Sequence, residues 1–400
     1  MKKMKNTLVF IESYIPGGSD KVARLLVDSI ESEKIYLCIN RSADTEILLQ
    51  KIVNDNVKVI FYSLPTLFDI STYIDTMKNN NYLWYILKIL SFIARYPLIL
   101  FSIIYFYFMF KKLNIDLYIS NNGGYPGGEY NRSSTISASI IGSCNVYHIF
   151  HSMAQPSRRI FRFIEYYYDK LIDNRCYLIT DSQVSVDKMK SVRNIYQDIS
   201  VIYNGVKKSK LKKYTLSNTL KLLHIGTLDS NKNQLLLVDI MNILVNELKL
   251  NVKLQLVGKE AEADYLLKLQ HSIKEYNLKD DILLEGFSDD PYAYYNDTDI
   301  LLLSSKVESF PTVILEAMSV GLPVITTDAG GVNEQIVNGL NGYIIKQNNI
   351  HDFVEKINYF YKDKNKIKEF GRFSYEHFNK NFRVEVMIKK YNILFKKGYR

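Results

Sequence analysis

The sequence predicts an α/β protein of two domains, each built on a parallel β-sheet. Three observations predict it. Short apolar, β-branched runs recur throughout the 400 residues. Longer segments of helical period separate them. A polar, basic stretch, NGVKKSKLKKYTLSNT (204–219), divides the series in two. Strands that read as continuous apolar runs are buried on both faces, and their alternation with helices makes them parallel βαβ units.

In the first half the runs are 6–11, 34–39, 57–62, 115–120, 145–150, 176–180 and 199–203. In the second half they are 220–225, 252–257, 282–285, 299–304, 323–327 and 342–345. The expected organisation is a first domain over 1–203, a linker over 204–219, a second domain over 220–374, and a C-terminal helix within 375–400 that returns to the first domain. Two Rossmann-like domains of this kind place a ligand cleft at the C-terminal ends of their strands.

Composition sets the outer bounds. At 47% hydrophobic and 23% charged the chain has the make-up of a globular protein, which excludes a disordered one. The net charge of +9 is spread over both halves, 23 Lys/Arg against 18 Asp/Glu in 1–205 and 28 against 24 in 206–400. No basic arm concentrates it, so a nucleic-acid partner is not expected; phosphate-bearing substrates and anionic lipid remain. Cys38, Cys144 and Cys176 are odd in number and far apart, which argues against a disulfide framework and for a reducing, cytoplasmic setting. The start, MKKMKNTLVFIES, has an apolar run of only about five residues and reads as a first strand, not a secretory signal.

The most informative segment is ESFPTVILEAMSVGLPVITTDAGG (308–331). A strand enters a loop carrying Glu308. Pro311 is expected at the first helical position, where its fixed φ and missing N–H fit. The helix ends at Gly321, before Pro323. Its start offers the N–H groups of Thr312, Val313 and Ile314, beside Phe310, together with the positive end of the helix dipole. Diphosphate oxygens suit such a site without a metal. Glu316, near the helix middle, and Glu308, in the loop, stand ready to accept hydrogen bonds from hydroxyl groups; two acids at this spacing carry the signal only in this setting of strand, loop, proline, helix and the Gly330-Gly331 turn.

At these residues the chain resembles the retaining glycosyltransferases of family 4, whose fold, GT-B, consists of two Rossmann-like domains. The resemblance runs along essentially the whole chain and is strongest at 222–234, 254–258 and 284–342. It implies that Glu316 binds the ribose of a nucleoside-diphosphate-sugar and that Glu308 lies against the donor sugar. In LLHIGTLDSNKNQ (222–234) it implies a turn at Gly226 and a lysine, Lys232, on the diphosphate. Thr227 stands where the family usually has an arginine. The turn after Gly286, near Phe287, is expected to line the base pocket. Asp297-Thr298-Asp299 spells a metal-binding motif of the other large glycosyltransferase fold, but it sits between a helix end and a buried strand and is read as coincidence. No cofactor or metal is expected, the nucleotide-sugar being a substrate.

In the first half, Gly17-Gly18 follows the first strand, and a glycine pair lets a backbone approach a ligand closely. By resemblance it faces the donor phosphates or the acceptor. A second glycine loop, NNGGYPGGEY (121–130) with Gly123 and Gly124, is expected on the acceptor side. The strand NVYHIF ends before His151, which the resemblance places near the donor sugar; His148 is expected inside the strand. Arg158, Arg159 and Arg162 read equally as a phosphate clamp on an acceptor or as a solvated face.

YLWYILKILSFIARYPLILFSIIYFYFMF (82–110) is apolar but interrupted by Lys88 and Arg95 and expected to break at Pro97. The reading favours peripheral contact with an anionic membrane over a core helix or a span, which needs about 20 apolar residues. The resemblance as a whole implies a metal-independent, retaining transferase acting on a glycan or lipid-linked acceptor at the inner face of a bacterial plasma membrane. The alternatives are a sugar-nucleotide epimerase and a catalytically silent partner of another transferase.

Overall fold

The computed structural model describes residues 4–13, 18–78, 81–214 and 217–397. The chain divides into two compact units, 1–203 with 388–400, and 204–387.

The first unit holds a seven-stranded sheet of β1 (Met4–Ile11), β2 (Ser32–Ile39), β3 (Val57–Phe61), β4 (Leu117–Asn122), β5 (Asn145–Phe150), β6 (Tyr177–Thr180) and β7 (Ser200–Val201). Their order is β3-β2-β1-β4-β5-β6-β7, and every pairing is parallel. Around it lie α1 (Gly18–Ser29), α2 (Ala43–Gln50), α3 (Leu67–Asp75), α4 (Asn81–Lys111), α5 (Glu129–Ile141), α6 (Arg162–Arg175) and α7 (Gln183–Val192).

The second unit holds six parallel strands, β8 (Leu220–Ile225), β9 (Val252–Val257), β10 (Ile282–Gly286), β11 (Ile300–Leu303), β12 (Val324–Thr327) and β13 (Gly342–Ile345), in the order β10-β9-β8-β11-β12-β13. Its helices are α8 (Gln234–Asn242), α9 (Ala263–Glu275), α10 (Pro291–Asn296), α11 (Thr312–Val320), α12 (Ile350–Lys362) and α13 (Asn365–Asn381), followed by α14 (Val384–Lys397). Each run read from the sequence forms a strand. In both sheets the order reverses once, at β1/β4 and at β8/β11. Loops diverge there, and an α/β sheet opens a crevice for ligands at that point.

Three expectations change. The stretch 204–219 is not a free linker, because its described part is strapped to the second unit. Val206 bridges Arg383, Lys212 N donates to Val320 O at 3.0 Å, and the Tyr214 hydroxyl donates to Gly321 O. The tail leaves later than 375: α13 stays with the second unit, and the division falls inside α14, whose Tyr391 and Phe395 are buried in the first. The Phe395 ring meets Tyr147 at 4.9 Å.

Pro97 does not break its helix. α4 runs unbroken for 31 residues through Pro97. One side is core, with Tyr96, Ile99, Phe106 and Phe110 buried; the Phe106 ring lies 5.1 Å from Phe10 and 5.5 Å from Tyr62. This anchoring on both sides of Pro97 offsets the hydrogen bond that proline removes. By length and composition alone α4 could cross a membrane, yet a span would strip Phe106 and Phe110 from the sheet they cover.

Candidate functional site

At the β8/β11 reversal the backbone is packed without room for side chains. A Cβ on Gly258 would lie 1.8 Å from Gly226 O, and the Gly226 N–H donates to Val257 O at 3.0 Å. The loop after Gly226 winds around Asp229. Its carboxylate accepts from the N–H of Asn231 at 2.9 Å and of Lys232 at 2.8 Å, and from the Thr227 hydroxyl. Beneath the loop His224 is fully buried. The Gln234 amide nitrogen, which only donates, reaches His224 Nε2 at 3.1 Å and Thr227 O at 2.8 Å. Nε2 is therefore the acceptor, and Nδ1 carries the proton given to Leu302 O at 3.1 Å. Burial, and then Lys232, push the imidazole down to about 4.

The loop after β11 is clamped to the turn after β12. Glu308 N donates to Ala329 O at 2.7 Å and Gly331 N to Glu308 O at 3.1 Å. A Cβ on Gly331 would stand 1.3 Å from Ser309 O, so only glycine allows this approach. The clamp sets Glu308 Oε1 2.5 Å from Lys232 Nζ, with both side chains largely buried.

α11 begins one residue later than expected. Pro311 is the cap, with φ −65° and ψ 119°, and Thr312 is the first helical residue. Ile314 N donates to Pro311 O at 3.3 Å, so the amides left without an intrahelical acceptor are those of Thr312 and Val313. Gln335 Nε2 holds the same Pro311 carbonyl at 3.1 Å. Glu316 is buried, and its Oε2 accepts from the Tyr295 hydroxyl at 2.9 Å. Burial, with Glu316 beside it, raises the Tyr295 phenol far above its ordinary value, so it stays protonated and donates.

The structure thus brings Gly226, Thr227, Lys232, Glu308 and the start of α11 to one end of one sheet. Phe310 is buried beneath them, its ring 5.8 Å from Phe382. Phe287 is exposed after β10, two strands from β8. Asp297 and Asp299 serve the strand edge instead: Lys221 Nζ pairs with Asp297 at 2.6 Å, and Lys221 N donates to Asp299 at 2.9 Å. Tyr295 and Gln335 were not legible, since each works through contacts distant in sequence, and Asp229 was passed over although its contacts with Thr227, Asn231 and Lys232 are local.

In the first unit a second group forms at the ends of β1, β4 and β5. Gly17 lies outside the described residues, and Gly18 opens α1. Asn121 Nδ2 donates to Ser19 O at 3.1 Å, which turns Oδ1 towards His151 Nε2 at 2.9 Å. Nε2 therefore carries the proton, and Nδ1 faces Asp181 at 3.6 Å. Gly123 approaches Ser19 and Gly124 approaches Ser152. His148, as expected, is a strand-interior residue. Thr135 gives its proton to Asn131 O at 2.6 Å, so His148 Nδ1 donates to the hydroxyl at 2.9 Å.

The glycine loop is held from below by a buried ionic group. The Tyr125 hydroxyl donates to Asp169 at 2.8 Å, Arg193 pairs with Asp169 at 2.7 Å, and Arg132 pairs with Glu165 at 2.7 Å. Burial alone would raise the Glu165 carboxyl, but Arg132 and Arg193 outweigh it and hold it well below the carboxylate range. At the ends of β2 and β3 an open pocket of about 440 Å³ is lined by Asn40, Arg41, Tyr62 and Thr66. Sequence reading missed it, because β-strand ends this far apart declare no shared motif.

Arg158 and Arg159 do not join this group. They sit at the turn before α6, exposed, and the Arg158 guanidinium lies 5.8 Å over the Phe92 ring of α4. Their place is explained by the neighbouring Phe161, which packs on Phe92 at 4.8 Å and Tyr96 at 4.4 Å and draws the whole turn onto α4.

Two doubly wound parallel-sheet units of this kind make the GT-B fold. Residues 206–377, within the second unit, match the family described as glycosyl transferases group 1. Among curated proteins the chain is 29% identical over 221 residues to N-acetyl-alpha-D-glucosaminyl L-malate synthase of Bacillus anthracis, covering 54% of this chain and 57% of that protein. It is 26% identical over 243 residues to a UDP-Gal:alpha-D-GlcNAc-diphosphoundecaprenol alpha-1,3-galactosyltransferase of Escherichia coli, covering 56% and 61%. The matches thus span less than two thirds of these relatives' length. Among solved structures, Anabaena HepE in complex with UDP superposes with a TM-score of 0.73 at 19% identity, covering 98% of this chain and 100% of that one. TarM superposes with a TM-score of 0.71 at 15% identity, covering 98% and 99%. These likenesses carry the fold.

Proposed function

We propose that the protein transfers a sugar from a nucleoside-diphosphate-sugar to a hydroxyl of a glycan or lipid-linked acceptor, with retention of configuration and without a metal. The observation that supports this best is the Lys232–Glu308 pair, 2.5 Å apart, whose acid stands on the loop that leads into the start of α11. A diphosphate leaving group develops charge as its bond to the sugar breaks. Lys232 and the helix start offer that charge preorganised donors, worth most in a water-poor site. Lys232 would then exchange part of its bond to Glu308 for a phosphate oxygen, freeing the carboxylate for a sugar hydroxyl.

Glu316, held by Tyr295, is the group assigned to the ribose. In the first unit, His151, held by Asn121, is the group assigned to the donor sugar, and the pocket beside Arg41 is assigned to the acceptor. The relatives support a setting in surface glycan assembly, since the Escherichia coli protein is named for a diphosphoundecaprenol acceptor. A lipid-linked acceptor would bring the chain to the inner face of the plasma membrane, with the outer side of α4 as the contact.

Calorimetry with UDP, GDP, ADP and dTDP, followed by turnover of the matching nucleotide-sugars with and without acceptor, tests the reading. One diphosphate should bind in EDTA, and transfer in EDTA should match that with added Mg²⁺ or Mn²⁺. Binding of none of the four would refute it. Loss of transfer in EDTA, restored by a divalent ion, would refute the metal-independent part alone.

A further inference from the structure

α4 is apolar on two sides, and only one of them has a partner. Opposite the buried face, Ile86, Ile89, Ile93, Leu100, Ile104 and Phe108 are all exposed, at intervals of three, four or seven residues that place them in one stripe. The stripe follows a helix of 31 residues, about 46 Å long. Beside its first half lies the turn that Phe161 fixes to α4, where Ile160 and Phe163 are among the most exposed apolar side chains. A soluble surface rarely carries an apolar area of this extent without a use.

Along the two segments themselves the charges have one sign. No acidic residue occurs in 81–112 or 158–164, whereas Arg158, Arg159 and Arg162 flank the stripe and Lys111 and Lys112 close its C-terminal end. All five are exposed. Lys88, the cation nearest the helix start, is turned away to Asp75 at 3.0 Å. We propose that the outer face of α4 and the arginine–aromatic turn 158–164 form one surface that docks on a bilayer of anionic phospholipid. The stripe enters the acyl boundary and the three arginines bind headgroup phosphates.

This rests on the membrane setting proposed above and assigns its lipid class and its second contact. Bidentate guanidinium groups suit phosphate oxygens, and alternation with Ile160 and Phe163 seats them at headgroup depth. A protein partner fits less well, because the neighbouring acid Asp75 is already paired with Lys88, and the cations beside the long stripe have no acid left among them to fix a register. A span is opposed by Phe106 and Phe110, which belong to the core on the other side of the same helix.

The test is flotation of the full chain with vesicles of phosphatidylcholine, with and without phosphatidylglycerol, at low and high salt. Calorimetry with free nucleotide on the same samples reports the second unit independently. Wild type should float only with the anionic vesicles. R158E/R159E/R162E should lower partitioning by about tenfold or more, with unfolding temperature and nucleotide binding unchanged. I93S/F108S should remove the binding that survives high salt. K207E/K210E/K213E, an equal charge change in the second unit, should float as wild type does.

Equal loss in that control would reduce the effect to net charge and overturn the assignment. Wild-type flotation by the arginine variant, with a raised KM for acceptor, would return the arginines to an acceptor clamp. If wild type ignores both vesicles, or forms dimers that I93S/F108S dissolves, the surface is not a lipid site. Intact nucleotide binding in that case would leave the transferase reading standing.

Discussion

At the scale of single residues, the donor side is a set of side chains whose partners decide their roles. Lys232 and Glu308 bind each other, so neither is idle surface. Glu316 is fixed by Tyr295, a residue that no spacing rule would single out. Tyr295→Phe removes the donor and leaves a buried carboxylate oxygen short of a hydrogen bond, a cost of about 1–3 kcal/mol. Nucleotide affinity should fall roughly in step, by about 5- to 100-fold, because Glu316 is no longer held for the ribose. Glu308→Gln should leave free-nucleotide affinity within about threefold yet depress kcat strongly, since it loses the charge paired with Lys232 and a group assigned to the sugar. Calorimetry and steady-state rates separate the two. Equal effects of both variants on affinity would show that the acids share one role.

At the scale of elements, loops at the strand ends do the positioning, and glycine makes their crossings possible. Gly331→Ala puts a methyl group into Ser309 O, so the Glu308 loop or the turn after β12 must move. Overpacking of this kind costs about 1–3 kcal/mol. It should therefore weaken nucleotide binding more than Gly339→Ala, where a Cβ meets no neighbour within 4 Å and the cost is that of the left-handed backbone at φ 81° alone. Indifference to Gly331→Ala would mean that the clamp does not hold Glu308. Strands and helices were legible because burial on both faces writes itself as continuous apolar runs. The donor loop was legible because proline, glycine and acid fall in order along one segment. Arg158 and the acid-free stripe of α4 were only half legible: charge and apolarity were plain, but which side of α4 the sheet covers depends on contacts with Phe10 and Tyr62. Pro97 misled for the same reason, since packing overrides its local preference.

At the scale of the whole molecule, each unit encloses a fully buried neutral histidine, and the two make stability depend on pH in one direction. His148 in the first unit is pushed down to about 3 by burial and then by Arg132, and His224 in the second to about 4 by burial and then by Lys232. Each gives its Nδ1 proton to a fixed oxygen, so the charged form has no place in the fold. The unfolded chain binds these protons near the ordinary value of about 6.5. A depressed folded value means that the unfolded state holds more protons between the two values, so stability rises with pH there and is lost on acidification. Above about pH 7 neither group matters. At pH 5 each unfolded imidazole is protonated while its folded counterpart is not, which favours unfolding by about 2 kcal/mol per histidine. Glu165 acts in a lower window, because its depressed carboxyl stabilises the fold above about pH 4.5 and releases that stability only below it. Urea unfolding at pH 7 and pH 5 should therefore show a loss in wild type above the window in which Glu165 contributes. His224→Gln should remove part of that loss and keep the shares of His148 and of half-buried His377, which burial also pushes down. A wild-type protein equally stable at both pH values would mean that these imidazoles are not held neutral in the fold.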